Sequence, residues 1–582
     1  MIIETKDYLY KRKNLELLKQ QLLNERSSFE AHWRDLGDFI LPRRPRFYTS
    51  DVNKGDRRNQ KIIDSTATLS ARTLRSGMMS GITSPARPWF RLTTPDPSLA
   101  EYASVKMWLT QCQSILATSF IKSNLYNILP IAYGDLGVFG TAPISIQEDF
   151  TGNILHFDSF PIGSYSIAKD HLGMVNTFFR IFRMTVSQVV SQFVLFDEKT
   201  NEPDWSNVSD YVKTMFEKGQ TQEWVEICHV IKPNEFYDDK KLESKYKKFY
   251  SCYYENGVSS GSNQNYIQRD EKLLSEKGFD YFPILCPRWE VTAEDVYGTS
   301  CPGMEALGDI KQLQLGEKRT FEAIEKMIRP PLQGPSTLKN QSVSQLPGDL
   351  TYVDSRDGAA GLRPVHEVQF NIQSMEMKQE QIRSRIRRTF FEDLFLMLAN
   401  SDRRQITARE IEERHEEKLL ALGPVLEQLN QDLLDPLIDA AFNIHAQRGL
   451  LPPPPQELQG VELKVEYVSV MAQAQKLIGL AGIERFSGYI GQMAGFDPGA
   501  LDKFNVNQAI DVYADITSVP PGIVRTDEEV QAIKEQKAKA QQAQMQQEQA
   551  AMAMKGAKEL SQTQVGDGNA LEMMIKNAGG TV

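Results

Sequence analysis

Two long helical patterns, separated by a stretch rich in glycine, proline and serine, limit what this chain can fold into more than any other feature. The first runs from about Gly303 to Arg329 and stops at Pro330-Pro331. At ~1.5 Å per residue it spans roughly 40 Å. The stretch Leu332 to Pro364 follows, with short strand candidates at Leu350–Val353 and near Val365–Phe370. The second pattern begins near Asn371 and reaches about Leu398 on the stripe Met375, Ile382, Ile386, Phe390 and Leu394, close to heptad spacing. After a polar break, Ala399–Gln405, a third helix opens at Thr407, with Glu410 completing a capping box. Gly423-Pro424 and Pro436 lie inside its pattern, so it is expected to be kinked, and Gly449 ends it before Pro452–Pro455. Such a hairpin carries polar and small residues on more than one face and cannot bury itself alone. Gly308 and Gly316 in its first helix, and Arg383–Arg388 in its second, predict packing against copies of the same chain, in a ring or bundle.

The remainder supplies the body on which that hairpin stands. A chain of 582 residues has room for roughly three to five folding units. Residues 5–40 read as helix, with Leu9, Leu15, Leu18, Leu22, Leu23, Phe29, Trp33, Leu36 and Phe39 at helical spacing until Pro42. A charged loop, Asp51 to Arg58, precedes a helix rich in Ala, Ser and Thr from about Asp64 to Met79, ending at Gly81. From about Gly140 to Val291 the period changes to that of strands. TAPISIQ, NTFFRIFRM, EWVEICHVI, KKFYSCYYE and YFPILCPRWEV are β-branched and aromatic, and predict an antiparallel β-rich domain. Gly257–Asn265 reads as a loop, and a smaller helical unit is expected over about 466–516. Thr526 to Glu529 form a capping box that opens an Ala/Gln/Met/Lys-rich helix to about Leu560, and the last twenty residues read as disordered. The expected class is α+β, predominantly α.

Charge and cysteines narrow the function. The 66 Lys and Arg against 76 Asp and Glu leave a net charge of −10, which argues against gripping nucleic acid over a broad basic face but allows DNA to slide past. The five cysteines (Cys112, Cys228, Cys252, Cys286, Cys301) form no C-x-x-C pair and no even framework, as expected of reduced thiols in an intracellular product. The charged first twenty residues lack the apolar core of a secretory signal. The stretch Leu125 to Ile146 is too interrupted by Gly, Pro, Asn127 and Asp135 to span a membrane, so a soluble protein is expected.

Several segments resemble one family. DSTATLSARTLRSGMMSGITSPARPWFRL (Asp64–Leu92) and YGDLGVFGTAPISIQED (Tyr133–Asp149) resemble signatures of the head-to-tail connecting, or portal, proteins of short-tailed bacteriophages. YGTSCPGMEALGDIKQLQ followed by EKMIRPPL (Tyr297–Leu332) resembles the family's first stem helix and its exit into the clip. ITAREIEERHEEKLLALGPVLEQL with DPLI (Ile406–Ile438) resembles its long kinked wing helix.

The resemblance implies a portal ring of twelve copies at one capsid vertex, through which DNA is packaged and ejected. It implies a wing over 1–302, stem helices over 303–331 and 371–395, a clip over 332–370 and a tunnel loop over 396–406. A kinked wing helix would follow over 407–455, a crown over 456–525, a C-terminal barrel helix over 526–560 and a disordered tail over 561–582. The implied partners are a homo-dodecamer, double-stranded DNA bound without sequence specificity, the terminase motor, a tail adaptor protein, major capsid and scaffolding proteins, and internal virion core proteins. No membrane and no cofactor are implied. The place would be the capsid portal vertex of the virion, reached from the host cytoplasm during assembly.

Catalytic and metal motifs fail one by one. No Gly-Lys dipeptide occurs, hence no phosphate-cradling G-x-x-x-x-G-K-[ST] loop. His415-Glu416-Glu417 lacks the second histidine of a zinc-protease motif, since position 419 is Leu. Gly298-Thr-Ser300-Cys-Pro302 lacks the final glycine of a nucleophile elbow. Cys228-His229 in a strand should point to opposite faces and pack in the core.

The site candidates are therefore contacts rather than catalysts. Arg383, Arg385, Arg387 and Arg388 cover more than half the helix circumference, so they cannot all face one channel. Arg385 and Arg388 suit ion pairs between subunits with Glu317, Glu322 or Glu325, while Arg383 and Arg387 are candidates for the channel. Arg403 and Arg404, in the polar break, suit either a phosphate-contacting constriction or a solvated helix start. Leu338, Lys339, Tyr352, Asp354, Arg356 and Arg363 are the clip's docking candidates. Gly423 and Pro424 mark a packing bend or a hinge. The alternative reading is a non-conducting tail adaptor or scaffold protein of the virion.

Overall fold

The computed structural model describes residues 12–48, 58–96, 102–150, 152–196, 203–241, 243–256, 272–292, 294–330, 371–400, 422–458 and 527–562, with short pieces at 55, 99, 332–333, 363–364, 464–467, 486–493, 505–506 and 508–510. The chain divides into two units, residues 1–475 and 476–582.

In the first unit, helix α1 (Arg12–Phe39) buries Leu15, Leu22, Trp33 and Leu36, the stripe its spacing predicts. Its Phe29 and Trp33 stack at 5.5 Å, and Tyr297 meets both rings at 5.1 and 5.0 Å. Helix α2 (Thr66–Ile82) follows, then strand β1 (Phe90–Thr93) and helices α3 (Ala103–Lys122) and α4 (Leu125–Phe139). The buried face of α2 is Ala67, Ser70, Ala71, Leu74, Gly77, Met78 and Gly81. Small side chains there let α4 approach closely, and a methyl at Gly137 would overlap Leu74. Gly140 closes α4 in the left-handed region (φ +79°), its N–H bonded to the Leu136 carbonyl. No described helix is long and apolar enough to cross a membrane.

The predicted β-rich region forms antiparallel sheets. Strands β2 (Ile144–Asp149) and β3 (Ile154–Ser159) pair, and β11 (Ile284–Leu285) adds to β2. The larger sheet has the order β10-β9-β8-β5-β4, from β4 (Tyr165–Lys169), β5 (Val175–Thr185), β8 (Trp224–Pro233), β9 (Phe249–Glu255) and β10 (Ser275–Phe279). Phe178 and Ile231 join the main core, whereas their neighbours Phe179 and Val230 pack with Leu15 and Leu22 of α1. That alternation is the period of two expected of a sheet buried on both faces. Helices α5 (Val186–Phe193) and α6 (Asp210–Glu217), with the hairpin β6 (Leu195–Phe196) and β7 (Pro203–Asp204), bury Val186, Val189, Val190 and Val212 against Ile227. The loop expected at Gly257–Asn265 lies outside the described residues.

The first long helix is α7 (Pro302–Ile328), with Pro302 in its first turn. Strands β12 (Leu332–Gln333) and β13 (Arg363–Pro364) pair just beyond it. The strand candidates Leu350–Val353 and Val365–Phe370 lie outside the described residues. The single helix expected from Asn371 to Leu398 is instead two, α8 (Ile372–Thr389) and α9 (Glu392–Asn400). The break falls at Phe390 and Phe391, where Phe391 adopts φ +55°. A bulky side chain rarely takes that conformation, and Phe390 and Leu394 are both fully buried across the bend. The stripe continues through the break because the same core receives both helices. Residues 396–400, expected at the start of a loop, are helical.

The third helix is described from residue 422, so its capping box and the segment before Gly423-Pro424 lie outside. Its irregularity is a π-helical turn, Asn430–Leu434, directly before α10 (Asp435–Gln447). Pro436 offers no N–H to the carbonyl of Asp432 and its ring crowds it, so the turn widens and the Asp435 N–H bonds the Asn430 carbonyl. Gly449 (φ +65°) lies just past the helix end, as expected. Strand β14 (Lys464–Tyr467) pairs antiparallel with β1, so residues 466–467 are strand and not the start of a helical unit. In that ladder Val465 stands opposite Leu92 and Tyr467 opposite Phe90.

The second unit contains a helix over 486–493 and the long helix α11 (Asp527–Gln562). Thr526 and the final twenty residues lie outside the described residues.

Candidate assembly surface

The hairpin of α7 and α8 is held by polar contacts that run in opposite directions along the two helices. Gln379 Nε2 donates to Thr320 Oγ1 at 3.0 Å in a buried contact, and Thr320 donates in turn to the Gly316 carbonyl at 2.9 Å. One turn on, Arg383 donates to Glu317 at 2.6 Å and to Asp64 at 2.8 Å. Arg385 reaches Asp309 at 2.8 Å, and Arg387 reaches Glu380 of its own helix at 2.9 Å. Arg388, Glu322 and Glu325 are exposed.

Asp64 is the joint between hairpin and body. Burial works against its charge, but hydrogen bonds from Thr66 and the Arg383 guanidinium outweigh it and hold the carboxyl below its ordinary value. Gln314 of α7 accepts from the N–H groups of Ile63 and Asp64 at 2.6 and 2.8 Å, and donates to the Asp64 carbonyl. On the other side of α2, Ser70 donates to Glu392 at 2.8 Å, and Phe395 of α9 fills the notch at Gly77. The segment Asp64–Leu92 is thus the part of the body that α7, α8 and α9 rest on. Sequence spacing alone does not single out Asp64, Ser70, Asp309, Gln314 or Gln379, because their partners lie far away along the chain. Asp64 and Ser70 do fall within the first signature segment, the one signal that marks them.

A second joint ties the third helix to the sheet. Asp432, carried on the π turn, accepts from Arg288 at 2.9 and 3.1 Å, with both side chains almost wholly buried. Gln428 donates to the same carboxylate at 2.9 Å, and Arg288 also donates to the Gly173 carbonyl at 3.0 Å. In the second signature segment, Asp135 accepts from Arg44 at 2.6 and 2.8 Å, and Tyr133 shares a buried hydrogen bond with Thr83.

Cys228 and His229 are buried on opposite faces of the sheet; His229 Nε2 lies 3.0 Å from Ser251 Oγ and the ring stacks on Tyr253 at 3.8 Å. Burial pushes the Cys228 and Cys252 thiols up to about 12, and all five cysteines are buried and free. Among the described residues no group of three His, Cys, Asp or Glu is placed to hold a metal. Arg363 lies in β13 opposite Gln333. Gly423 and Pro424 lie in the helical run 422–429. Leu338, Lys339, Tyr352, Asp354, Arg356, Arg403 and Arg404 lie outside the described residues.

Among its exposed charged residues the hairpin also leaves several apolar side chains uncovered. Leu315, Phe321, Met327 and Ile328 of α7 and Met377 of α8 are exposed, Phe321 at 68% and Ile328 at 73%. The hairpin is thus locked to its body by ion pairs while presenting aromatic and aliphatic side chains to solvent. Residues 12–524 match the family model described as bacteriophage head to tail connecting protein. The chain is 48% identical over 565 residues to the "Portal protein" of Salmonella phage epsilon15, covering 97% of this chain and 98% of that one. It is 42% identical over 537 residues to the "Probable portal protein" of Bordetella phage BPP-1, covering 92% of each. The chain belongs to the bacteriophage head to tail connecting protein family. A chain from the structure titled "Virion of native gene transfer agent (GTA) particle" aligns over 72% of this chain and 96% of its own at 10% identity, with a TM-score of 0.27, too loose a likeness to argue from.

Proposed function

We propose that this protein is the portal of a short-tailed phage: a ring of twelve copies at one capsid vertex, through which the genome is packaged and later ejected. The observation that carries the reading is the hairpin of α7 and α8, whose ion pairs are satisfied within one chain while its apolar side chains are not covered by it. Twelve such hairpins side by side would cover those side chains and line a channel. A duplex about 20 Å across needs a bore slightly wider than that. The stem is α7 and α8, the clip lies between them, and the wing is the mixed body with the helix that ends at Gly449. Residues 396–406 lead to the channel constriction, with Arg403 and Arg404 as its phosphate contacts. Residues 456–525 form the crown, and α11 is the barrel helix of residues 526–560. The clip takes the terminase motor first and the tail adaptor later, and wing and crown meet capsid, scaffolding and internal core proteins. The role is structural, with ATP hydrolysis left to the motor.

The test is native mass spectrometry with negative-stain images of the same sample. Particles near twelve times 66.0 kDa with a central hole are expected. A chain that stays monomeric when scaffolding and capsid proteins are co-expressed would favour the non-conducting adaptor or scaffold instead.

A further inference from the structure

The stem arginines singled out by their density are mostly matched by acids of their own chain, so the positive charge left over lies elsewhere. Between Pro42 and Leu92 the sequence holds eleven Lys and Arg against three Asp, a surplus of eight in a chain whose total is −10. Part of that surplus is neutralised: Arg44 by Asp135, and Lys61 by Asp38 at 2.7 Å. Helix α2 contains no acid, and its two arginines, Arg72 and Arg75, are both exposed. Neither has an ion-pair partner among the described residues. Arg75 rests against Gly134, its Cδ 3.2 Å from where a side chain would start, near an Asp135 that Arg44 already holds through two hydrogen bonds. Arg44 and Arg75 thus stand about one buried carboxylate, and Arg72 lies about one helical turn from Arg75.

The rest of that helix face agrees. Ser65, Leu69, Arg72, Ser76 and Ser80 are exposed at helical spacing, with Thr73 half-buried beside them. Arginines interleaved with hydroxyls are the side chains that contact phosphate oxygens. Leu69 is the one large apolar side chain exposed there, so the face lacks the apolar centre of a seam between copies, which the hairpin of α7 and α8 has.

We propose that the outer face of α2, centred on Arg72 and Arg75, contacts the phosphodiester backbone of duplex DNA. The proposal rests on the portal reading and adds to it a contact surface outside the stem and tunnel loop. The test is fluorescence anisotropy of a labelled 30-base-pair duplex with the purified full-length protein between 50 and 200 mM salt. Arg72→Gln with Arg75→Gln should weaken binding on any sequence, and flatten the slope of log K against log salt by about 0.9 for each phosphate no longer neutralised. Arg72→Lys with Arg75→Lys should keep the slope, and Lys106→Gln with Lys122→Gln on α3 should leave it unchanged. A slope unaltered by the glutamine pair overturns the proposal. So does a glutamine pair that breaks the ring in native mass spectra while binding DNA as before, which would make the face a seam between copies. A wild-type protein that stays monomeric with scaffolding and capsid proteins co-expressed, yet shows the slope change, would count against the portal reading and leave this contact standing.

Discussion

Buried histidines are the residues whose chemistry reaches an easily measured property. His445 of α10 is fully buried, its Nδ1 2.7 Å from the Ala441 carbonyl and its Nε2 2.9 Å from Ser119 Oγ on α3. Nδ1–H donates to the carbonyl and Nε2 accepts from the hydroxyl, an arrangement that needs the neutral ring. Burial is the chief cause that lowers its pKa, and for His229 burial followed by the nearby Arg180 lowers it well below the ordinary value. In the unfolded chain both rings take up protons near pH 6.5, whereas the folded chain resists doing so. Their contribution to stability is therefore complete above that pH and is lost as pH falls below it toward the folded values. Each unit of lowering corresponds to about 1.4 kcal/mol at pH values below both pKa values. The melting temperature should fall between pH 7 and 5, and His445→Gln with His229→Gln should flatten that fall even while lowering stability at pH 7.5. A fall as steep in the double variant as in the parent would exclude these rings as its cause.

Helices and strands were legible where a pattern of spacing reports which face is buried, and illegible where the question is what that face is buried against. Leu15, Leu22, Trp33 and Leu36 mark α1, and the β-branched runs mark β5, β8 and β9. The bend at Phe391 left no trace, because Ile386, Phe390 and Leu394 stay on one stripe whether the helix is straight or broken. The arginines of α8 could be read as charge but not as partners of Asp64 and Asp309, since ion pairing over such separations has no periodicity. The glycines of α2 and α7 show the same limit, and a pair of substitutions separates them. A methyl at Gly77 would fall inside the ring of Phe395, so Gly77→Ala forces α9 away from α2 and should cost about 1–3 kcal/mol. Nothing lies within 4 Å of the same position at Gly308, where Gly308→Ala should stabilise the isolated chain by about 0.5–1 kcal/mol through helix propensity alone. Thermal melts of the monomer should move in opposite directions. A loss at Gly308 equal to that at Gly77 would mean that α7 has a neighbour within the chain at that point.

At the scale of the whole molecule, the chain is stable by one set of contacts and unfinished by another. The ion pairs at Arg383, the Gln379–Thr320 contact and the Gly77 notch lie inside one copy, and Phe321 and Ile328 lie outside all of them. Substituting exposed side chains that touch nothing usually changes the stability of the folded chain by no more than about 0.5 kcal/mol. Burying the same side chains between copies contributes about 1.5–3 kcal/mol each in the assembly, and in a closed ring that term recurs at every seam. Phe321→Asp with Ile328→Asp should therefore leave the monomer's melting temperature within a degree or two and its circular dichroism unchanged. The same variant should lose the ring peak in native mass spectra and become monomeric at concentrations where the parent is assembled. Adding Asp at both positions also places a carboxylate beside the exposed Glu322 and Glu325 of the same helix, so raised salt should restore part of the assembly by screening. A ring that survives the double substitution at low salt would put the seam on another face of the hairpin; a monomer that unfolds would show that these side chains hold the hairpin itself together.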